Sequence, residues 1–432
     1  MVVRAGALAG AVALMVGAAA CGVPNTAASQ PSALPSAVVT ASSAAVSSPP
    51  ASKVPIGSAP ASSPVPSSKF ASAPVVVKPS KPVGSPPADV GDLGQFIQVS
   101  ATTWWAPVVG NLSDRLYLVR SVDAGKHWQD VSPPFGELHA NDGVSSYVLS
   151  ADVAWLDADA DPTTPQLFRT LDGGHSWQQL GTLPEGCTLQ FVDPLHGWCW
   201  TLGGAAGSMG VGLYGTSDGG ATWRLLSRTT GDGTPSTIDA LPFGCDKSLI
   251  FTSPTVGWAS SFCNGGPPYL EISTDGGARW QPVQAVPSLA NNGGAGFSLP
   301  VVDGAAIAVA DLGMGPDNEI NTSSDGGKSW RVHALPSPTT GHYWNVDLID
   351  PTHWRATDGD VIISTDDAGM HWKRWTPAIG MHDQYGTLEL DFISPEIGSA
   401  SDPADRYPLW STADGGRTWT KVVIDAGPYV LS

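Results

Sequence analysis

The 432-residue chain carries 21 basic against 39 acidic side chains, a formal charge of −18, which argues against nucleic acid and against direct adhesion to anionic lipid. At this length it is long for one ordinary domain, so repeats or several domains are expected.

Met1 to Ala20 holds a single charge, Arg4, followed by an apolar run of Ala, Val, Leu, Met and Gly. It reads as an export signal over residues 1–20, too short and too rich in Ala and Gly for a permanent span. Ala18-Ala19-Ala20-Cys21, three small residues before a cysteine, resembles the bacterial lipoprotein signal, although Ala18 stands where that family usually has Leu. The resemblance implies acylation of Cys21 as the first mature residue and anchoring to the outer face of the cell membrane; plain secretion is the alternative. Residues 21–89 are Ala, Ser, Pro and Val with a few lysines and no acidic residue before Asp89. Such a composition buries too little apolar area to offset its backbone entropy, and its prolines favour extended conformations. The segment reads as a disordered tether, on the order of 200 Å if fully extended.

From Val90 onward one pattern recurs seven times: Ser or Thr, then Asp two residues on, Gly four on and Trp seven on. The copies are Ser121/Asp123/Gly125/Trp128, Thr170/Asp172/Gly174/Trp177, Thr216/Asp218/Gly220/Trp223, Ser273/Asp275/Gly277/Trp280, Ser323/Asp325/Gly327/Trp330, Thr365/Asp367/Gly369/Trp372 and Thr412/Asp414/Gly416/Trp419. Successive tryptophans are 49, 46, 57, 50, 42 and 47 residues apart, a spacing that suits one four-stranded sheet per repeat. A carboxylate that accepts backbone N–H groups and a glycine with positive φ make a tight turn, so each hydroxyl and carboxylate pair is expected to lock its turn. The run Ser273–Trp280 stands for all seven. The tryptophan then opens the next strand as a plate to bury. The third repeat is expected to hold strands at Thr188–Val192, Trp198–Leu202, Val211–Thr216 and Thr222–Leu226, and the fourth at Leu249–Thr252, Trp258–Ser261, Tyr269–Ser273 and Arg279–Val283.

A second landmark, Gly-Trp at the start of the second strand, is clear at Gly197-Trp198 and Gly257-Trp258. It persists in part as Trp105, Trp155 and Trp354, and is lost at Gly304-Ala305 and Gly398-Ser399. The Ser/Thr-x-Asp-x-Gly-x-x-Trp pattern resembles the Asp-box (BNR) repeat of sialidases. Together with Gly-Trp it resembles the propellers of the photosystem II assembly and stability factor family over residues 90–432. The resemblance implies an all-β, seven-bladed β-propeller of four-stranded blades. That family's namesake function is associated with an Arg-rich patch, whereas the arginines here are scattered and read as solvated or Trp-stacking cations.

Beyond Cys21, the cysteines are Cys187, Cys199, Cys245 and Cys263. An even number in an exported domain suggests two disulfides. Cys245 and Cys263 are nearly symmetric about the turn at Ser253–Gly257, which leaves Cys187 with Cys199; a bridge between Cys187 and Cys245 stays open. Neither Cys-x-x-Cys nor close His spacing suggests zinc. Asp157, Asp159 and Asp161 begin like a calcium loop, but Pro162 and Phe168 stand where its Gly and bidentate Glu belong. No metal or other cofactor is expected, and the chain reads as a monomer.

In a meandering blade the first and third turns share one face, here the Asp-box turns and the Asp-Pro turns, and the longer irregular loops collect on the other. Function in propellers usually lies on such a loop face. A sialidase-like glycoside hydrolase would draw there on Arg115, Arg228 and Arg406 as a carboxylate clamp, Tyr385 with Glu389 as nucleophile and helper, and Asp142 or Asp232 as acid. The Phe/Tyr-Arg-Ile-Pro signature of those enzymes is absent. The reading preferred here is a non-catalytic binding or scaffolding propeller for a protein or envelope glycan, with Tyr343, Trp344, Trp375, Tyr385, Tyr407 and Trp410 as aromatic anchors or as packing between blades.

Overall fold

The computed structural model describes residues 70–71, 75–77, 90–93, 96–110, 115–134, 145–158, 166–184, 186–203, 210–229, 239–242, 244–263, 268–284, 286–287, 296–311, 319–338, 344–379, 389–401 and 409–423. Cys21, Asp142, Asp159, Asp161, Asp232, Tyr343, Tyr385, Arg406 and Tyr407 lie outside them.

The described residues form seven antiparallel sheets and no helix. Each blade is built from consecutive strands, so the chain completes one blade before starting the next. In blade 3 these are Cys187–Phe191, Gly197–Gly203, Gly210–Thr216 and Thr222–Thr229. In blade 4 they are Asp246–Phe251, Gly257–Phe262, Leu270–Ser273 and Gln281–Pro282. The expected strands are therefore present, within a few residues at each end.

Seven apolar layers join neighbouring blades, and they close the ring. Leu409 and Val422 of blade 7 pack with Phe96, Trp104 and Trp128 of blade 1, while Trp105 of blade 1 packs with Leu156 and Phe168 of blade 2. The series continues to Ile349 and Ile362 of blade 6 against Phe392 of blade 7. The fold is a seven-bladed propeller. Gln98, turned so that its amide nitrogen faces the Gly398 carbonyl, adds a polar tie across the closing seam.

Gly-Trp now has a physical account. A Cβ on Gly197, Gly257 or Gly398 would sit 2.3 to 2.5 Å from the ring of Phe191, Phe251 or Phe392, the last residue of the first strand in the same blade. Glycine clears that ring. Trp198, which follows Gly197, stacks on Phe251 of the next blade at 3.8 Å, and Trp155, at the same strand position in blade 2, stacks on Phe191 at 3.6 Å. Each also donates its indole N–H to a turn glycine of that next blade, Trp155 to the Gly219 carbonyl and Trp198 to that of Gly276.

The expected tether differs from its sequence reading in one respect. Phe70–Ala71 pairs with the outer strand of blade 3, and Val75–Val77 pairs with that of blade 2. These two sheets therefore have five strands. Two Val-rich and aromatic stretches within a Pro-rich segment suffice to add strands to an existing edge, although they could not make a sheet alone.

Candidate functional site

The repeated turns build one face of the ring. In all seven copies the Ser or Thr hydroxyl donates to its Asp Oδ1 at 2.8 to 3.0 Å. It also accepts the N–H of the turn's last glycine. The same Oδ1 accepts a backbone N–H four residues on. In six turns the side chain at that fourth position, a His, Ser or Thr, also meets the second carboxylate oxygen, Oδ2. These bonds favour the ionised carboxylate. Asp123 is held down at about 2, chiefly by the His127 ring; Asp367 is held at about 2 by His371, and Asp325 at about 2 by the Ser329 hydroxyl.

The Asp275 turn is locked by its hydroxyl and carboxylate as expected, but without the Oδ2 bond that the other six turns make. Asp275 is exposed, and it holds its turn through Oδ1 alone, which accepts the Ser273 hydroxyl at 3.0 Å and the Arg279 N–H at 2.9 Å. The physical reason is the residue four positions on. Arg279 is too long to fold back as a compact hydroxyl or imidazole does, so the bond to Oδ2 is not made. The run with the most regular spelling is therefore the least fully bonded of the seven turns.

Each turn also leans on the first turn of its own blade. The N–H of Gly219 donates to the Leu195 carbonyl, Gly276 to Thr255, and Gly415 to Glu396, with equivalents in the other four blades. Every characteristic side chain of this face is thus engaged in holding its own blade.

Three arginines, read from the sequence as solvated or Trp-stacking cations, also tie blades together. Arg120, 8% exposed, lies over Trp105 and reaches Asp152 of blade 2. Arg169 donates to the Pro194 carbonyl of blade 3 at 3.1 Å and to Gln178 at 2.7 Å. Arg355, 5% exposed, donates to the Pro395 carbonyl of blade 7 at 2.8 Å and lies over Phe392. A signal was present for the first two, since Arg120 and Arg169 directly precede the Ser or Thr of a repeated turn.

At the loop-face end of blade 4 two ionisable groups are buried and shifted the other way. Glu271 is 5% exposed and desolvation pushes its carboxyl up to about 7. Lys247, 5% exposed, is lowered to about 8 by burial, and its ammonium donates to the carbonyls of Gly244 and Cys245. In blade 4 register, Lys247 is paired with Ser261 and Glu271 with Ala259, so both project from the sheet face that packs on blade 3. The disulfide Cys245–Cys263 closes this end of blade 4, and Cys187–Cys199 lies within blade 3. The pairing is therefore within blades, and the bridge between Cys187 and Cys245 does not form.

Arg115, Arg228 and Glu389 are the described members of the glycosidase set. Glu389 begins the innermost strand of blade 7, where partial burial and then Asp391 push its carboxyl up. Arg115 precedes the third strand of blade 1 and lies 5.1 Å over the Tyr117 ring. Arg228 is exposed on the fourth strand of blade 3, opposite Gly212. Strands in a sheet are spaced by about 4.8 Å, so Arg228 stands roughly 14 Å out from the innermost strand of its own blade. The fold brings Glu389 to the channel and carries Arg228 to the rim. Among the aromatic candidates, Trp344 is buried beneath Arg374, while Trp375 and Trp410 are partly buried in the layer between blades 6 and 7. Packing accounts for all three. Among the described residues no group of three or more His, Cys, Asp or Glu is placed to hold a metal.

No family model matches the chain. It is 24% identical over 358 residues to a xyloglucanase of Hypocrea jecorina (strain QM6a), covering 77% of this chain and 36% of that one. The chain thus spans about a third of the length of the curated relative it matches. Among solved structures it is similar to YCF48 from Cyanidioschyzon merolae, at 17% identity and a TM-score of 0.45, over 78% of this chain and 96% of that one. It is also similar to the GH74 xyloglucanase from Xanthomonas campestris, at 17% identity and a TM-score of 0.42, over 74% and 58% respectively. The fold assignment rests on the seven sheets and the closed ring of packing described above.

Proposed function

We propose that the chain is a cell-surface lipoprotein, anchored through Cys21, whose propeller binds a protein or an envelope glycan through its loop face without cleaving it. The observation that carries this reading is the contrast between the two faces. On one, the carboxylates of Asp123, Asp172, Asp218, Asp325, Asp367 and Asp414 sit below their usual range because local turns consume them. At the loop-face ends of the strands, desolvation shifts Glu271 and Lys247 between blades 3 and 4 towards neutrality, and exposed Glu389, at the start of the innermost strand of blade 7, is pushed up as well. Two disulfides suit an oxidising compartment, and the Ala/Ser/Pro-rich sequence after Cys21 suits a spacer.

The glycoside-hydrolase alternative draws support from the xyloglucanase likeness, and one experiment separates the two. The mature chain is assayed for release of reducing ends from xyloglucan and for turnover of fluorogenic glycosides that include sialosides. In parallel it is assayed for retention on the same immobilised glycans and for crosslinking to envelope proteins on intact cells. Retention or a specific crosslink without turnover is the expected result. Turnover abolished by Glu389→Gln would replace the binding reading with the hydrolase.

A further inference from the structure

We propose that the short strands Phe70–Ala71 and Val75–Val77 act as a strap that occupies, in the intact chain, the strand-accepting outer edges of blades 3 and 2, so that the folded domain takes in part of the Ala/Ser/Pro-rich stretch that precedes Val90. The two short strands lie in register on specific partners. Phe70 is opposite Trp223 and Ala71 opposite Thr222; Val77 is opposite Trp177, Val76 opposite Gln178 and Val75 opposite Gln179. Each piece thus lies against the tryptophan of a repeated turn.

Those tryptophans are buried in the layers between blades, Trp177 with Val131, whose carbonyl accepts its indole N–H at 2.9 Å, and Trp223 with Leu180 and Leu183. Trp177 and Trp223 are 1% and 2% exposed, whereas Trp330, Trp372 and Trp419 of blades 5, 6 and 7 are only partly buried. Trp280 of blade 4 is 3% exposed: its backbone N–H donates to the Asp239 carbonyl at 2.8 Å, and Leu241 packs in the same layer. Trp128 of blade 1 is buried against Leu409 and Val422 in the seam of the ring. An open edge presents unpaired N–H and C=O groups to any extended chain. Two such edges, side by side on consecutive blades, match a segment that carries two short β-prone pieces separated by Ser72-Ala73-Pro74.

The hydrogen-bond phase of the edge makes the inference sharp. The Leu180 N–H donates inward to the Leu167 carbonyl at 2.7 Å. Backbone N–H groups alternate along a strand, so Gln178 also points inward and Trp177 and Gln179 point outward, towards Val77 and Val75. It follows that the N–H of Val77 faces the blade and that of Val76 faces away. Proline is tolerated on an edge strand only where its missing N–H faces solvent.

The test uses the full mature chain and hydrogen exchange resolved at single amides. In the wild type, the Trp177 and Gln179 amides should exchange at least tenfold more slowly than in Val77→Pro, and Val76→Pro should leave them protected. The Gln178 amide, bonded within the blade, reports in every variant that blade 2 is folded. Fast exchange of Trp177 and Gln179 in the wild type, or the same effect from both proline variants, would overturn the strap. A second measurement does not depend on a destabilised variant. Val76 and Gln178 form a non-hydrogen-bonded pair with Cα atoms about 4.5 Å apart, within disulfide range. Val76→Cys with Gln178→Cys should close a third bridge under mild oxidant, and Val39→Cys with Gln178→Cys should not. Equal crosslinking in both, or none in the first, would count against the proposal.

Discussion

At the residue scale, burial and crowding decide which single changes matter. Trp155 is fully buried, stacked on Phe191 and bonded to Gly219, so Trp155→Ala should cost about 3–5 kcal/mol of unfolding free energy in a denaturant titration. Gly257→Ala places a methyl 2.5 Å from Phe251 and should cost roughly 1–3 kcal/mol as an overpacked site. Adding Phe251→Leu should return part of that loss, because the clash is with that ring; a strictly additive double variant would refute the account. Glu271 titrates in the opposite sense to the turn aspartates Asp123, Asp325 and Asp367. Its folded-state carboxyl lies near 7 against an ordinary 4.5, so its contribution is fully present below pH 4.5 and is lost as pH rises through 7. Glu271→Gln should flatten the stability profile across that window. The three aspartates, held near 2 against 3.8, stabilise above pH 4 and lose that contribution as pH falls towards 2, which acid unfolding followed by tryptophan fluorescence would show.

At the scale of the element, the unit is a blade and the question is what joins one to the next. Arg355 ties blade 6 to blade 7 from a buried position and also meets Asp366. Arg355→Met should cost about 2–3 kcal/mol, chiefly because the Pro395 carbonyl and its neighbours lose their donor. Arg374, exposed over Trp344, should be within about 0.5 kcal/mol of neutral when changed to Ala. Arg355→Lys should not restore the tie, since an ammonium lacks the planar fork that serves two blades at once. The strands themselves were legible in the chain. Gly-Trp, the Asp turns and the alternation of apolar residues locate them, because hairpin chemistry is local. The weaker bonding of the Asp275 turn was legible too, had the position four residues beyond each Asp been compared, since Arg279 alone among the seven carries no hydroxyl or imidazole there. The position of Arg120 and Arg169 just before a turn was legible, but which neighbouring blade they and Arg355 would reach was not, since a cation beside a turn looks the same in sequence whether it faces water or the next blade.

At the scale of the molecule, the ring closes by packing alone, with Leu409 and Val422 set against Phe96 and Trp104. No strand is exchanged between the described parts of blades 1 and 7. Leu409→Asp should therefore open that seam and lower the unfolding midpoint more than the same change at exposed Leu171, measured by calorimetry and scattering. The two disulfides close loops of 12 and 18 residues in sequence separation. Replacing either pair with Ser should cost about 3 kcal/mol and act within blades 3 and 4. By itself the sequence determined the number of blades, the order of strands, the face that carries the turns and the parity of the cysteines, since each depends on contacts within some 20 residues. Only the tertiary structure decided that Arg228 lies on the rim while Glu389 lies at the channel, that three arginines bridge blades, and that part of the presumed tether lies on two blade edges. Those facts depend on which surfaces meet when the ring closes, and residues far apart in the chain carry no local sign of the neighbour they will have.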